Sequence, residues 1–111
     1  MPNIERVEIR VTAENLWFLE RYLNVFDCMD LFPADAISKD ERRGVPIRLH
    51  TDREFVIESD IDGSKMQLRS RSKHKGWVRW TQEHGLRAGD RIIVEKTGDR
   101  DFALSLLRGE E

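Results

Sequence analysis

Apolar and polar residues alternate along several short stretches of the chain, and this period of two is typical of half-buried β-strands. The alternation is clearest over Val7–Val11, Val45–Leu49 and Phe102–Leu107. Further strands are expected over Val25–Met29, Glu54–Glu58, Lys65–Arg71 and Arg91–Glu95, with bends at Ser59–Gly63 and Thr97–Asp101. Six or seven strands in 111 residues predict a mainly β fold, closed or nearly closed into a small barrel.

Two short helices are expected between the strands. One covers residues 76–84, where Trp77, Trp80, Thr81 and His84 share one helical face, and Gly85 suits the left-handed position that ends it. A tight turn at residues 88–90 then leads into the next strand. The other helix begins after Pro33 and extends for one or two turns.

The stretch Leu16–Leu23 has two interpretations. Its apolar residues at Leu16, Leu19 and Leu23 suit a helix that is capped by Thr12, with Asn15 at the third position. An extended arm fits the same residues, and the sequence leaves both open.

Length and composition indicate one globular domain over residues 1–111, with its core in roughly residues 4–107. No apolar run approaches the roughly 18 residues that span a membrane, and the first residues do not resemble a signal peptide. The lone Cys28 excludes an internal disulfide, so we expect a reducing, cytoplasmic location. Since Cys28 lies among Val25, Phe26 and Met29, we interpret it as a core residue.

The net charge of −2 hides a strong asymmetry along the chain. Between Gly63 and Gln82 there are six basic residues and no acidic one, whereas the remainder holds thirteen basic and twenty-one acidic residues. A field polarised in this way would turn one face of the protein toward a polyanion.

The expected strand over Lys65–Arg71 carries much of this charge. Its alternation places Met66 and Leu68 on one face and a row of basic residues on the other, continuing through the segment Ser72–Lys75. Arginine, lysine and serine side chains are the groups that hold phosphates, and arginine also reads guanine edges. A solvated edge strand, protected from aggregation by its charges, is the competing interpretation.

Catalytic and metal-binding patterns are not evident. The three histidines and Cys28 have no recurring ligand spacing, and no glycine-rich phosphate loop occurs. Asp60, Asp62 and Lys65 come nearest to a magnesium-dependent nuclease site but lack a further acid. We therefore expect a protein that is not an enzyme and needs no metal or cofactor.

Several blocks resemble the DNA-binding domain of the plant B-three transcription factors. The resemblance is carried by Gly76-Trp77, Trp80 and the run Gly85-Leu-Arg-Ala-Gly-Asp90 before an apolar strand. Leu31–Ile37 and Glu58–Met66 resemble blocks of the bacterial relatives, which occur alone or joined to restriction endonucleases. The likeness extends from Leu31 to Leu107.

This resemblance implies a seven-stranded open pseudobarrel with two short helices that grips the major groove of double-stranded DNA between two arms. A basic arm over residues 65–75 and an N-terminal arm over residues 12–28 correspond to them. The implied DNA contacts are Lys65, Arg69, Arg71, Lys73, His74 and Lys75 in the first arm, and Asn15, Arg21, Tyr22 and Asn24 in the second. A role in transcription regulation or restriction and modification would follow, with a nuclease or methylase partner and the oligomeric state left open.

The N-terminal arm departs from a DNA-binding pattern. It is rich in bulky apolar residues between Leu16 and Leu19, and it carries Glu14, Glu20 and Asp27. A patch of this kind is typical of protein contacts. The alternative hypothesis is therefore a protein-interaction or oligomerisation module of the same fold that has lost DNA binding.

Overall fold

The computed structural model describes residues 6–38, 44–68 and 76–109 of the chain. Over these residues the fold is mainly β, with seven strands and two short α-helices, as the sequence predicted. In chain order the elements are β1 (Arg6–Arg10), α1 (Leu16–Leu19), β2 (Ile47–Thr51), β3 (Val56–Ser59), β4 (Ile61–Asp62), β5 (Gln67–Leu68), α2 (Gly76–His84), β6 (Arg91–Lys96) and β7 (Asp101–Leu107).

Five of the strands form one mixed sheet in the order β1-β6-β7-β2-β3, and β4 pairs with β5 in a small second sheet. Neighbouring strands are antiparallel except β2 and β7, which run parallel with Leu49 beside Phe102. The sheet is not closed within the described residues, so the open form of the expected barrel is the one observed. Strands β2 and β3, and β6 and β7, pair as neighbours in the sequence, whereas β1 pairs with β6 and β2 with β7 across long stretches of chain.

One face of the large sheet forms the core, because the period-two pattern puts its apolar residues on the same side. Leu49, Ile92, Phe102 and Leu104 are completely or almost completely buried there. Trp80 of α2 is fully buried in the same hydrophobic cluster, and α2 also contacts β3.

The end of α2 has the expected geometry. Gly85 has a φ of +64°, and its N–H donates to the carbonyl oxygen of Thr81, which closes the helix. Gly89 has a φ of +99° in the turn before β6. Both glycines adopt conformations that residues with a side chain rarely adopt, and the sequence placed both turns correctly.

The N-terminal arm combines both of its interpretations. Thr12 and Asn15 form a reciprocal pair, in which Asn15 Oδ1 accepts from the N–H of Thr12 at 2.7 Å and Thr12 Oγ1 accepts from the N–H of Asn15 at 3.2 Å. The α-helix that follows is a single turn, α1, and the chain from residue 22 to 25 is not helical.

The expected strand over Val25–Met29 is wrong. Phe26–Leu31 forms a 3₁₀ segment with a kink at Cys28, and only Asn24 makes an isolated bridge, to Gln67. The side chain of Asn24 accepts a hydrogen bond from the N–H of Phe26 at 2.8 Å, which turns the chain away from extension. Cys28 packs partly buried against the core, as expected.

The helix after Pro33 is a single turn, within the one or two turns expected, and it is of the 3₁₀ type over Ala34–Ala36. The expected bend over Ser59–Gly63 is displaced, since Ile61–Asp62 is the strand β4 and the turn covers residues 63–66. The charged loop at residues 40–43 lies outside the described residues. No helix among the described residues is long and apolar enough to cross a membrane.

Candidate nucleic-acid interface

The basic segment, defined as residues 69–75, lies outside the described residues, so the predicted contacts of Arg69, Arg71, Lys73, His74 and Lys75 remain predictions. The residues on either side of it are well placed in the fold. Leu68 of β5 is 4% exposed before it, and Trp77 of α2 is 3% exposed after it. The described residues that flank the segment, Leu68 and Trp77, are therefore buried.

The N-terminal arm packs against both of these residues. On the β5 side, the N–H of Leu68 donates to the carbonyl oxygen of Leu23 at 2.9 Å, and the N–H of Val25 donates to that of Met66 at 2.8 Å. On the α2 side, Trp77 Nε1 donates to the carbonyl oxygen of Leu19 at 2.8 Å. Thr81 Oγ1 lies 3.0 Å from the carbonyl oxygen of Glu20. The N-terminal arm therefore contacts both β5 and α2, the two elements between which the basic segment lies in the sequence.

Lys65 does not extend the basic row as a strand residue, because it lies in the turn between β4 and β5 and is exposed. Asp62 Oδ1 accepts hydrogen bonds from the N–H groups of Ser64 and Lys65, and Met66 follows with a left-handed φ of +55°. The strand expected from Lys65 is thus wrong at its start. The run Asp62-Gly63-Ser64 is typical of a turn, but the prediction gave more weight to the alternation of apolar and polar residues.

The four predicted contacts in the N-terminal arm divide into two groups. Asn15 uses both ends of its amide within the fold, since Oδ1 bonds to Thr12 and Nδ2 donates to the carbonyl oxygen of Arg10 at 2.9 Å. Tyr22 stacks on Phe18 with ring centroids 5.5 Å apart and is half-buried. Arg21 and Asn24 are exposed and lie on the part of the arm that contacts β5 and α2.

Two aromatic side chains of the arm are exposed: Trp17 is 61% exposed and Phe26 is 63% exposed. Phe26 lines a cavity of about 470 Å³ beside β1, together with other residues of the strand and of the arm. The sequence did not reveal this cavity, because it exists only when β1 is paired with β6 and residues 26–31 form the 3₁₀ segment.

The far end of α2 is fixed by Asp52, in the turn after β2. Asp52 Oδ1 lies 2.8 Å from both Trp80 Nε1 and His84 Nε2, and its Oδ2 accepts from the N–H of Leu106 at 3.2 Å. Partial burial raises the pKa of Asp52, but the bonds from His84, Trp80 and Leu106 outweigh it and hold the pKa below its ordinary value.

Asp90 plays a similar part in the turn before β6. Burial raises the pKa of Asp90, but its bonds with the N–H groups of Arg87 and Gly109 and with Arg108 outweigh burial and lower it. On the outer face of the sheet, hydrogen bonds from Arg48 and then His50 hold the pKa of Asp101 far below its ordinary range. Asp52 and Asp90 thus stabilise turns, and Asp101 links β7 to β2 through Arg48.

Within the described part of the chain, no group of three or more histidine, cysteine, aspartate or glutamate side chains could hold a metal ion. Comparison of the sequence with models of known protein families and with curated proteins found no match. The described residues form a small open β-domain, and the sequence places a strongly basic segment between its strand β5 and its helix α2.

Proposed function

We propose that the protein binds double-stranded DNA without catalysing a reaction, using the basic segment as its main contact and the exposed residues of the N-terminal arm as the second. The observation that carries the proposal is the charge pattern, since six basic residues and no acidic one lie between Gly63 and Gln82 in a chain of net charge −2. The resemblance of the sequence to B-three DNA-binding domains agrees with it.

The contacts of the N-terminal arm with β5 and α2 support this assignment. Because Arg21 and Asn24 lie on chain that bonds to β5 and α2, they are close to the residues from which the basic segment departs. Arg69 and Arg71 would read base edges or hold phosphates, and Lys73, His74 and Lys75 would hold phosphates.

The test is a fluorescence-anisotropy titration of random-sequence and selected DNA duplexes with the wild type and a variant in which Arg69, Arg71, Lys73 and Lys75 are alanine. The variant should bind about two orders of magnitude more weakly, with a melting temperature within about 2–4 °C of wild type. For the wild type, the logarithm of affinity should fall with that of salt by roughly 0.9 for each phosphate neutralised.

A matched control removes the same charge elsewhere, with Arg6, Arg87, Arg91 and Lys96 changed to alanine. These side chains belong to β1, to β6 and to the turn before β6. The control variant should bind DNA almost as tightly as wild type, because it leaves the basic segment intact. Equal losses in the two variants would show only general charge attraction and would overturn the assignment.

A second function, a protein-interaction or oligomerisation module without DNA binding, is favoured by the exposure of Trp17 and Phe26. Sedimentation equilibrium separates the two functions. A stable oligomer that gives no DNA shift at low salt would establish the second and exclude the first.

A further inference from the structure

Strand β1 forms one edge of the large sheet, and within the described residues it pairs only with β6. The N–H of Val11 donates to the carbonyl oxygen of Asp90, and the carbonyl oxygen of Val11 accepts from the N–H of Gly89. Because these roles alternate along an antiparallel strand, Val7 and Ile9 also bond to β6, whereas Glu8 and Arg10 direct their backbone groups outward. The bond from Asn15 Nδ2 to the carbonyl oxygen of Arg10 agrees with this direction.

The cavity of about 470 Å³ lies beside this edge. Its volume is within the range of roughly 300–1,000 Å³ that is usual for binding sites. Its lining includes the backbone edge of β1 together with Phe18, Leu19, Phe26 and Cys28. A strand added to β1 would thus bond to the backbone of Glu8 and place alternate side chains over these apolar residues, beside the polar side chains of Asn15 and Asn24.

The charge on the outer face of this edge is uneven. Arg10 stands opposite Arg91 in the register of β1 and β6, and both are exposed. Among the described residues neither arginine forms a salt bridge, although like charges directly opposite each other destabilise a sheet. An acidic side chain on an added strand would lie beside Arg10 and relieve this repulsion.

We propose that β1 binds an extended segment of a partner protein as an antiparallel sixth strand, with aliphatic side chains toward the cavity and an acidic side chain next to Arg10 and Arg91. The alternating charges of Arg6, Glu8 and Arg10 select a segment of complementary pattern and resist indiscriminate pairing. The proposal concerns a different surface from the basic segment and does not depend on DNA binding.

A second copy of this chain is a poorer occupant. Its own β1 could place Glu8 opposite Arg10, but its Val7 and Ile9 already pack against the core of that copy. They would not be free to enter the cavity. A partner segment that is extended before it binds has no such competing contacts.

The probe is a blocked pentapeptide of aspartate, valine, lysine, valine and aspartate, whose side-chain order is the same in either strand direction. Titrated into the ¹⁵N-labelled chain, it should shift the amide signals of Glu8 and Arg10 saturably in NMR spectra. Two matched controls are the charge-reversed peptide and the same peptide N-methylated at its central lysine. Each should bind about tenfold more weakly or worse, the first through repulsion and the second through a lost backbone bond.

Two variants test the site from the protein side. Glu8→Pro removes an N–H that points away from β6, so the sheet should persist while the peptide no longer binds. The triple variant Arg6→Glu, Glu8→Lys and Arg10→Glu should reverse the preference and bind the charge-reversed peptide more tightly, because it inverts every charge on the outer face of β1. This gain cannot arise from misfolding, and well-dispersed NMR spectra check the fold of both variants.

Three outcomes would overturn the proposal. The first is the lack of any saturable shift in β1 at millimolar peptide, and the second is equal binding of the N-methylated peptide. The third is a concentration-dependent dimer that protects the amide of Glu8 from exchange, because a second copy would then occupy the edge. A failure of DNA binding in the separate test would leave each of these results unchanged.

Discussion

The carboxylate of Asp52 links the turn after β2 to both α2 and β7. Its three side-chain hydrogen bonds involve Trp80, His84 and the backbone of Leu106. The pKa of Asp52 is lower in the folded protein than its ordinary value. The unfolded chain therefore takes up a proton first as the pH falls, so the stability from these bonds is complete above a pH of about 4 and decreases below it.

Replacement of Asp52 by asparagine should lower the free energy of unfolding at pH 7 by about 1–3 kcal/mol, because the bonds of Trp80 and His84 lose their charged acceptor. The difference from wild type should shrink below a pH of about 4. Urea denaturation followed by tryptophan fluorescence at pH 7 and at pH 3 measures both effects. Asp99→Asn, in the exposed β6–β7 loop, is the control and should leave the stability almost unchanged. A pH-independent loss at Asp52 would contradict the linkage.

Gly85 gives a second prediction at the scale of one residue. Because its φ is +64°, Gly85→Ala should lower the free energy of unfolding by about 1 kcal/mol, although a Cβ there would meet no atom within 4 Å. Thermal or urea unfolding measures the change. The control is Gly98→Ala, since Gly98 does not have a left-handed φ, and its effect should stay within about 0.5 kcal/mol. Equal effects at both positions would refute the conformational explanation.

Individual residues were predicted well where their local chemistry is distinctive. Gly85 and Gly89 follow a periodic segment and precede a strand, and glycine is the usual residue in such conformations. Met66 was missed, because a methionine with a φ of +55° gives no sign of it in the sequence. Its conformation results from the turn that the side chain of Asp62 stabilises.

At the scale of elements, α2 holds the sheet and the N-terminal arm together. Its buried face packs on the core through Trp80, while Trp77 donates to the carbonyl oxygen of Leu19. The centroids of the two tryptophan rings are 5.2 Å apart, so they pack as one unit. The arm is consequently attached to α2, the helix that directly follows the basic segment in the sequence.

This arrangement predicts that Trp77→Phe loosens the arm. The loss of the buried hydrogen bond and of ring area should lower the free energy of unfolding by about 2 kcal/mol and speed amide exchange over α1. Denaturation and hydrogen-exchange measurements test this. Trp17→Phe changes an exposed ring on α1 in the same way and should have little effect. Unchanged exchange over α1 in the Trp77 variant would show that the arm is held by other contacts.

The pattern of the sequence predicted β1, β2, α2, β6 and β7, because each has a clear period and lies against the core. It failed over Phe26–Leu31, where a short apolar run suits a strand and a short helical segment equally well. The pattern also placed the start of β5 at Lys65, whereas the strand begins at Gln67. In both places a side chain, of Asn24 or Asp62, bonds to nearby N–H groups and turns the chain.

At the scale of the whole molecule, the candidate site could be predicted only in part. The charge asymmetry that motivates DNA binding is a property of the sequence and is visible without a structure. The contact of the N-terminal arm with β5 and α2 is not visible in the sequence, since it depends on bonds between distant residues such as Leu23 and Leu68. The open edge of β1 likewise depends on a pairing of chain ends that no local pattern specifies.

The pairing of residues 6–10 with residues 91–95 has a consequence for how the molecule forms. During synthesis β1 emerges well before its partner β6, so the nascent chain cannot complete the sheet until β6 has followed. Sheets dominated by such distant contacts fold slowly, in milliseconds to seconds, because the loop-closure entropy is lost before the contacts form. Until β6 arrives, the apolar side chains of β1 remain accessible to chaperones and to other chains.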